Sequence, residues 1–154
     1  MQVESKIKIS MATLEDVSQI LEIEKECFGT EAWSEEMFKY ACLGKFGGII
    51  KAEYDGKVCG FLVYIILGGD EVNIDDIAVM PENRKKGIAD AMMRYVFEKS
   101  EKSGIKKIML EVRESNVPAI KLYEKYNLKK DGIRKNYYRE PVENAVLMSV
   151  DITE

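Results

Sequence analysis

The chain has 154 residues, 46% of them hydrophobic, with 23 basic and 27 acidic side chains and a formal net charge of −4. This describes one soluble globular domain spanning residues 1–154, too apolar for disorder and without the overall positive charge of a nucleic-acid binder. Histidine is absent, which excludes Ser-His-Asp and Cys-His nucleophile systems, HExxH zinc sites and Cys/His fingers.

Lys6 to Met11 alternates, with Ile7, Ile9 and Met11 on one side, and predicts a strand. Thr13 with Asp16 three residues later has the form of a capping box. It opens a helix with Leu14, Val17, Ile20 and Leu21 on one face that fades near Phe28. Ser34 as N-cap, with Glu35 and Glu36 in the first turn, predicts a second short helix ending at Gly44. These two helices are expected to form one side of an opening.

Gly47 to Tyr54 and Lys57 to Ile66 flank Asp55-Gly56, the signal of a tight hairpin between antiparallel strands. The longest apolar run, Phe61 to Leu67, is far too short to span a bilayer, and residues 1–20 carry charge where a signal peptide would need an apolar block. After the Gly68-Gly69-Asp70 turn, Glu71 to Val79 reads as a strand ended by Pro81, and Gly87 to Ser103 as an amphipathic helix closed by Gly104. Ile105 to Val112 is a strand. Val117 to Tyr126 is a helix with Ser115 or Asn116 as cap and Asn127 as stop, and Leu128 to Tyr138 and Ala145 to Ile152 are the final strands.

The order βααβββαβαββ predicts an α/β domain. An antiparallel meander feeds one βαβ crossover and then a closing hairpin, giving a mixed sheet with helices on both faces. Only the strands joined through the Gly87 helix must run parallel, and a ligand is expected at the carboxyl ends of such strands. Cys27, Cys42 and Cys59 are odd in number, far apart and without a CxxC. They predict neither disulfides nor a metal site and read as core residues of a cytoplasmic protein.

Arg84-Lys85-Lys86-Gly87-Ile88-Ala89 follows a strand and opens a helix. Free backbone N–H groups and the helix dipole favour an anion there, and Gly87 permits close approach of the backbone. The plain alternative is a solvated basic turn. The run is no Walker loop, which needs an earlier Gly and Lys-Ser or Lys-Thr. Asp75 and Asp76 are expected on opposite faces of their strand, so that at most one faces a site.

Ile77-Ala78-Val79-Met80-Pro81 followed by Arg84 to Ala89 resembles the Gcn5-related N-acetyltransferases (GNAT). That family carries a strand ending Ala-Val-x-Pro before an Arg/Gln-x-x-Gly-x-Gly/Ala loop. Leu110-Glu111-Val112-Arg113-Glu114-Ser115-Asn116, Ala119 to Glu124, and Arg134-Lys135-Asn136-Tyr137-Tyr138 are similar to the RimI-type branch, which acetylates protein N-termini. The resemblance covers almost the whole chain.

It implies acetyl-CoA as donor and direct transfer without a metal. The pyrophosphate would rest on Arg84, Lys85, Lys86, Gly87, Ile88 and Ala89, the pantetheine arm would pair with the backbone of Ile77, Ala78 and Val79, and Asn116 would contact the cofactor too. Glu111 matches the general base and Tyr123 the general acid. Phe28, Trp33, Tyr137 and Tyr138 would line the acceptor site, and Asp75 or Asp76 is a reserve base. The acceptor would be a protein or peptide N-terminus, ribosomal proteins among the candidates.

Read from their own surroundings, Glu111 could equally be a strand residue paired with Arg113. Tyr123 could equally be a core aromatic, and Tyr137 and Tyr138 an ordinary aromatic strand pair. Two departures from the RimI pattern bear on the acceptor: Gly29-Thr30-Glu31-Ala32 lengthens the link before Trp33-Ser34, and Glu143-Asn144-Ala145 stands where Glu-Asp-Ala is usual. The competing functions are acetylation of a small amine or a lysine side chain, a silent acyl-CoA-binding module, and nucleic-acid binding through Arg84 to Lys86. The net charge of −4 counts against the last.

Overall fold

The computed structural model describes residues 6–29 and 32–152. In chain order the elements are β1 (Ile7–Met11), α1 (Val17–Phe28), α2 (Glu35–Leu43), β2 (Gly47–Tyr54), β3 (Lys57–Leu67), β4 (Glu71–Val79), α3 (Ile88–Lys102), β5 (Lys107–Arg113), α4 (Val117–Lys125), β6 (Lys129–Arg139) and β7 (Val142–Asp151). They form the expected mixed α/β architecture around one seven-stranded sheet of order β1-β2-β3-β4-β5-β7-β6.

The helices cover both faces because both faces of the central strands are apolar. Along β3, Phe61 and Val63 join α1 and α2 in one core cluster that holds Val17, Ile20, Ile23 and Phe38. Leu62 and Tyr64 point the other way, into a larger cluster with Ile88, Met92, Met93 and Val96 of α3 and Ile120 and Tyr123 of α4. The unbroken apolar run in β3 is thus a strand buried on both sides.

Local signals set the ends of the helices. Ser34 Oγ accepts from the Met37 N–H at 3.3 Å and starts α2. The Asp16 carboxylate accepts from the Thr13 N–H at 2.8 Å, but residues Leu14–Asp16 form a 3₁₀ turn, so α1 begins later than the pattern predicted. Asn116, not Ser115, caps α4, its Oδ1 accepting from the Ala119 N–H at 3.3 Å.

Among the described residues the only parallel pair is β4 with β5, and it is short: the register runs from Glu71 opposite Lys107 to Ile74 opposite Leu110. Beyond these four pairs the strands separate. A second irregularity lies at the same place. In the β3–β4 ladder Val63 opposes Asp76 and Tyr64 opposes Ile74, leaving Asp75 as the extra residue of a bulge.

The closing hairpin also differs from the simplest reading. The last strand, β7, inserts between β5 and β6 and pairs antiparallel with both. β6 becomes the edge, and the residues near its end are carried out over the parting of β4 and β5.

Candidate active site

A cleft of about 790 Å³ opens where β4 and β5 part. It brings together Ile77, Glu111, Asn116, Tyr123, Phe28, Trp33, Tyr137 and Tyr138, eight of the residues singled out in the sequence. The basic loop from Arg84 to Ala89 does not line this cleft; it lies further along the same strand-to-helix connection.

Glu111 sits in β5 between the buried Leu110 and Val112, so alternation turns its side chain to the α1 face of the sheet. It does not pair with Arg113. Its Oε2 lies 3.8 Å from Arg134 Nε, is itself buried, and has no hydrogen-bond partner. Arg113 instead donates to the Glu143 carboxylate at 3.1 Å and to the carbonyls of Pro141 and Glu140, and lies over the Tyr138 ring. Glu143 in turn accepts from the Ser115 N–H, which with Arg113 holds its carboxyl below the usual range. These contacts tie the β6–β7 hairpin to the end of β5.

Tyr123 is both a core aromatic and a lining residue of the cleft: it belongs to the core cluster at 4% exposure and borders the cavity. Burial pushes its phenol far above the ordinary value, with smaller contributions from Tyr138 and Asp76. Tyr138 is raised to about 12, first by burial and then by Glu111. Tyr137 and Tyr138 meet edge to face at 5.1 Å on the wall carried by β6.

The opposite wall comes from α1 and the segment before α2. Trp33 packs on Phe38, with ring centroids 5.3 Å apart, and Phe28 is 40% exposed at the rim. Thr30 and Glu31 of the lengthened link lie outside the described residues.

The two aspartates of β4 correct the sequence reading. Alternation placed them on opposite faces, but both line the cleft, because the bulge at Asp75 interrupts the period of two. Asp76 Oδ2 and Glu24 Oε1 are both buried without a hydrogen-bond partner, and burial together with the Glu24 carboxyl pushes the Asp76 pKa far above the usual carboxylate range.

Glu24 was missed in the sequence. It is 1% exposed, and its Oε2 accepts from the Trp33 N–H at 2.6 Å. The signal was there: Glu24 falls four residues after Ile20 and seven after Val17, a charge on the apolar stripe of α1. Cys27, one turn on, donates from Sγ to the Val79 carbonyl at 3.5 Å, and burial raises its thiol.

In the basic loop Lys85 has φ 64 and Gly87 φ 83, so two backbone positions adopt the left-handed region around the start of α3. The first helical bond runs from the Ala91 N–H to the Gly87 carbonyl at 3.0 Å, which leaves the N–H groups of Ile88, Ala89 and Asp90 ahead of the ladder. Asp90 is fixed by Lys125, Arg94 and the Tyr126 hydroxyl, locking this helix end against α4. Arg84 Nε donates to the Val79 carbonyl at 3.1 Å, and Lys86 lies over the Tyr54 ring at 4.4 Å. A left-handed cradle, free N–H groups and open space beside Gly87 suit a phosphate.

A mixed sheet splayed at its one parallel junction, with an anion cradle beyond the splay and carboxylates within it, defines a class. The chain belongs to the acetyltransferase (GNAT) family, whose model matches residues 17–127, and it is accordingly an acyltransferase. A Bacillus subtilis protein provisionally named as a ribosomal protein bS18-alanine N-acetyltransferase is 33% identical over 152 residues, covering 97% of this chain and 99% of its own. An N-alpha-acetyltransferase of Saccharolobus solfataricus is 32% identical over 154 residues, 90% of this chain and 89% of its own. The crystal structure of the ribosomal-protein-S18-alanine N-acetyltransferase from Escherichia coli superposes with a TM-score of 0.88 at 29% identity, covering 96% of this chain and 95% of that one.

Proposed function

We propose that this chain transfers the acetyl group of acetyl-CoA directly to the N-terminal α-amine of a protein or peptide. The observation that carries this reading is Glu111: a carboxylate oxygen buried without a hydrogen-bond partner, at the mouth formed by the parting of β4 and β5. An ammonium cannot attack a thioester, and this oxygen stands ready to take its proton directly or through one water. An α-amine, with a pKa of about 7.7–8.0, needs only a modest base.

Acetyl-CoA supplies the activated acyl group as a thioester. The N–H groups of Ile88 and Ala89, with Gly87 at φ 83, fit its pyrophosphate, and the edge of β4 near Ile77, unpaired with β5, fits an amide-bearing arm that adds like a strand. Tyr123 directs a phenol into the cleft and can donate a hydrogen bond to sulfur as negative charge develops there. Phe28 and Trp33 on one side and Tyr137 and Tyr138 on the other enclose the acceptor's first residues. The names of the Bacillus, Saccharolobus and Escherichia relatives support an N-terminal acceptor, with a ribosomal protein among the candidates.

The test is fragment mass spectrometry after incubation with acetyl-CoA and peptides beginning Ala, Ser, Thr or Met, each with an internal lysine. One acetyl on the α-nitrogen is expected. Acetylation confined to the lysine, or none with acetyl-CoA bound, overturns the reading.

A further inference from the structure

The cleft is negative, and its charge is not balanced from within. Six acidic side chains line it against two arginines, and one of these, Arg113, is taken by Glu143. Among the described residues, every buried side-chain oxygen or nitrogen without a hydrogen-bond partner is a carboxylate oxygen of this cleft: Glu24 Oε1, Asp76 Oδ2 and Glu111 Oε2. Glu24 is 1% exposed, so bulk water does not satisfy it either. Carboxyl groups lining a cleft with so few cations mark a place where positive charge arrives from outside.

Asp75 is the acid of this set best placed to meet it. It is exposed, and it is the extra residue of the β4 bulge, without a partner in β3. Its Oδ1 accepts from Asn73 Nδ2, a neutral donor, and among the described residues no cation is paired with it. Ile74, between the two, is buried in the core under α3, so Asn73 and Asp75 share the α1 face with Glu111. The last parallel pair is Ile74 with Leu110. Asp75 and Glu111 are therefore the first residues past it, one on each side of the parting, about one strand spacing of 4.8 Å or slightly more from each other.

An acceptor whose α-nitrogen sits at Glu111 has its second Cα about 3.8 Å beyond its first. The first side chain is met by the apolar rings of Phe28 and Trp33, which leaves Asp75 to the second. A lysine or arginine there, with its stem of three or four methylenes, reaches back across one strand spacing and keeps its charged head at the exposed carboxylate.

We propose that Asp75 is a specificity-determining residue whose carboxylate receives a lysine or arginine side chain at the acceptor's second position. The acceptors it selects are N-termini with a cation directly after the first residue. This deepens the function proposed above and rests on it. Asn73 holds one oxygen of Asp75 and leaves Oδ2 open to the cleft. A glutamate at the second position meets Asp75 as a like charge and is disfavoured. The ion pair forms when the acceptor binds and persists through the reaction, so it acts on KM and not on kcat. Glu111 and Tyr123 keep the roles given above.

The experiment measures α-amine acetylation of peptides that begin Ala-Arg, Ala-Ala or Ala-Glu and are otherwise identical, by wild type and by Asp75→Asn. The readout is the ratio of kcat/KM between peptides within one protein, which does not depend on how much of a variant is folded. For wild type, Ala-Arg is expected to exceed Ala-Glu at least tenfold at low salt. The difference should be carried by KM and should shrink as salt is raised. In Asp75→Asn the ratio is expected to fall below threefold. A wild-type ratio near one would overturn the assignment. So would a ratio unchanged in Asp75→Asn, or activity lost alike on all three peptides, which would put Asp75 at the reacting amine instead. Absence of α-amine transfer by the wild type to every peptide would overturn the function on which the assignment rests.

Discussion

Replacing Gly87 by alanine separates the backbone's role in folding from its role in holding the donor. Gly87 has φ 83 and ψ 15, and no atom lies within 4 Å of a Cβ built on it. The substitution therefore meets no clash and acts only through conformation. An L-residue in the left-handed region costs about 1–2 kcal/mol, and the lower freedom of alanine in the unfolded chain returns about 0.4–1 kcal/mol. A net loss of roughly 0.5–1 kcal/mol follows, a shift of a few degrees at most in a domain of this size. If the N–H groups of Ile88 and Ala89 hold the pyrophosphate in the open space beside Gly87, the new methyl intrudes on the ligand or the loop relaxes. Either route is expected to weaken acetyl-CoA binding at least tenfold, or about 1.4 kcal/mol. Gly104 supplies the control: its φ is 76, its Cβ position is equally open, and it lies beyond the far end of α3, a helix about 22 Å long at 1.5 Å per residue. Calorimetric titration with acetyl-CoA and thermal unfolding should give matched stability losses in Gly87→Ala and Gly104→Ala but weakened binding only in the first. Equal affinities in the two variants would refute the placement of the anion.

Glu111→Gln is expected to lower kcat about 10²-fold at pH 7 while leaving acetyl-CoA affinity unchanged, and the defect should narrow above pH 8 as the amine loses its proton unaided. Ser34→Ala removes the hydrogen bond to the Met37 N–H and should cost about 1 kcal/mol in denaturant unfolding. Because the pKa of Asp76 is raised by folding, the folded state binds more protons than the unfolded state between the ordinary carboxylate range and that raised value. Stability is therefore expected to fall as pH rises across that window. In Asp76→Asn this slope should flatten, which unfolding midpoints at pH 5 and pH 8 would reveal. Lys85→Gly relieves a non-glycine residue at φ 64 and, after the entropy cost of glycine, should stabilise by about 0.5 kcal/mol; a large loss of stability would show that the Lys85 side chain makes up for its strain.

The element order was legible because each element carries its own local evidence. Ser34 and Asn116 do cap α2 and α4, Asp55-Gly56 does join β2 to β3, and the buried run in β3 is a strand covered on both faces. Boundaries moved by a few residues where local preference and ladder geometry compete, as at the start of α1, where Leu14–Asp16 turns as 3₁₀. Non-local features were less legible. The order of the elements does not say which of β6 and β7 lies against β5; the contrast between the charged β6 and the apolar Ala145 to Met148 of β7 does, and it puts β7 inside. The bulge at Asp75 is set by the β3 register opposite it, and without it Asp75 and Asp76 would have been divided between faces. Of the residues met through the family resemblance, eight line one cleft while Ala78, Val79 and the Arg84 to Ala89 loop lie outside its lining, whereas Glu24 escaped because a single charge on an amphipathic stripe is invisible until Asp76 and the Trp33 N–H are placed beside it.

Four paired positions are all that join one half of this sheet to the other. Mechanically the molecule is two plates, β1 to β4 and β5 to β7, sharing a short seam, and the mouth of the cleft is the angle between them. Val72 on one side of the seam and Ile108 on the other are buried in the core and do not line the cleft. A change of one methylene there alters the angle at the hinge while Glu111, Tyr123 and the α3 cradle keep their own local supports. The aperture offered to an acceptor can thus be retuned from inside the core, leaving every residue that does chemistry as it is.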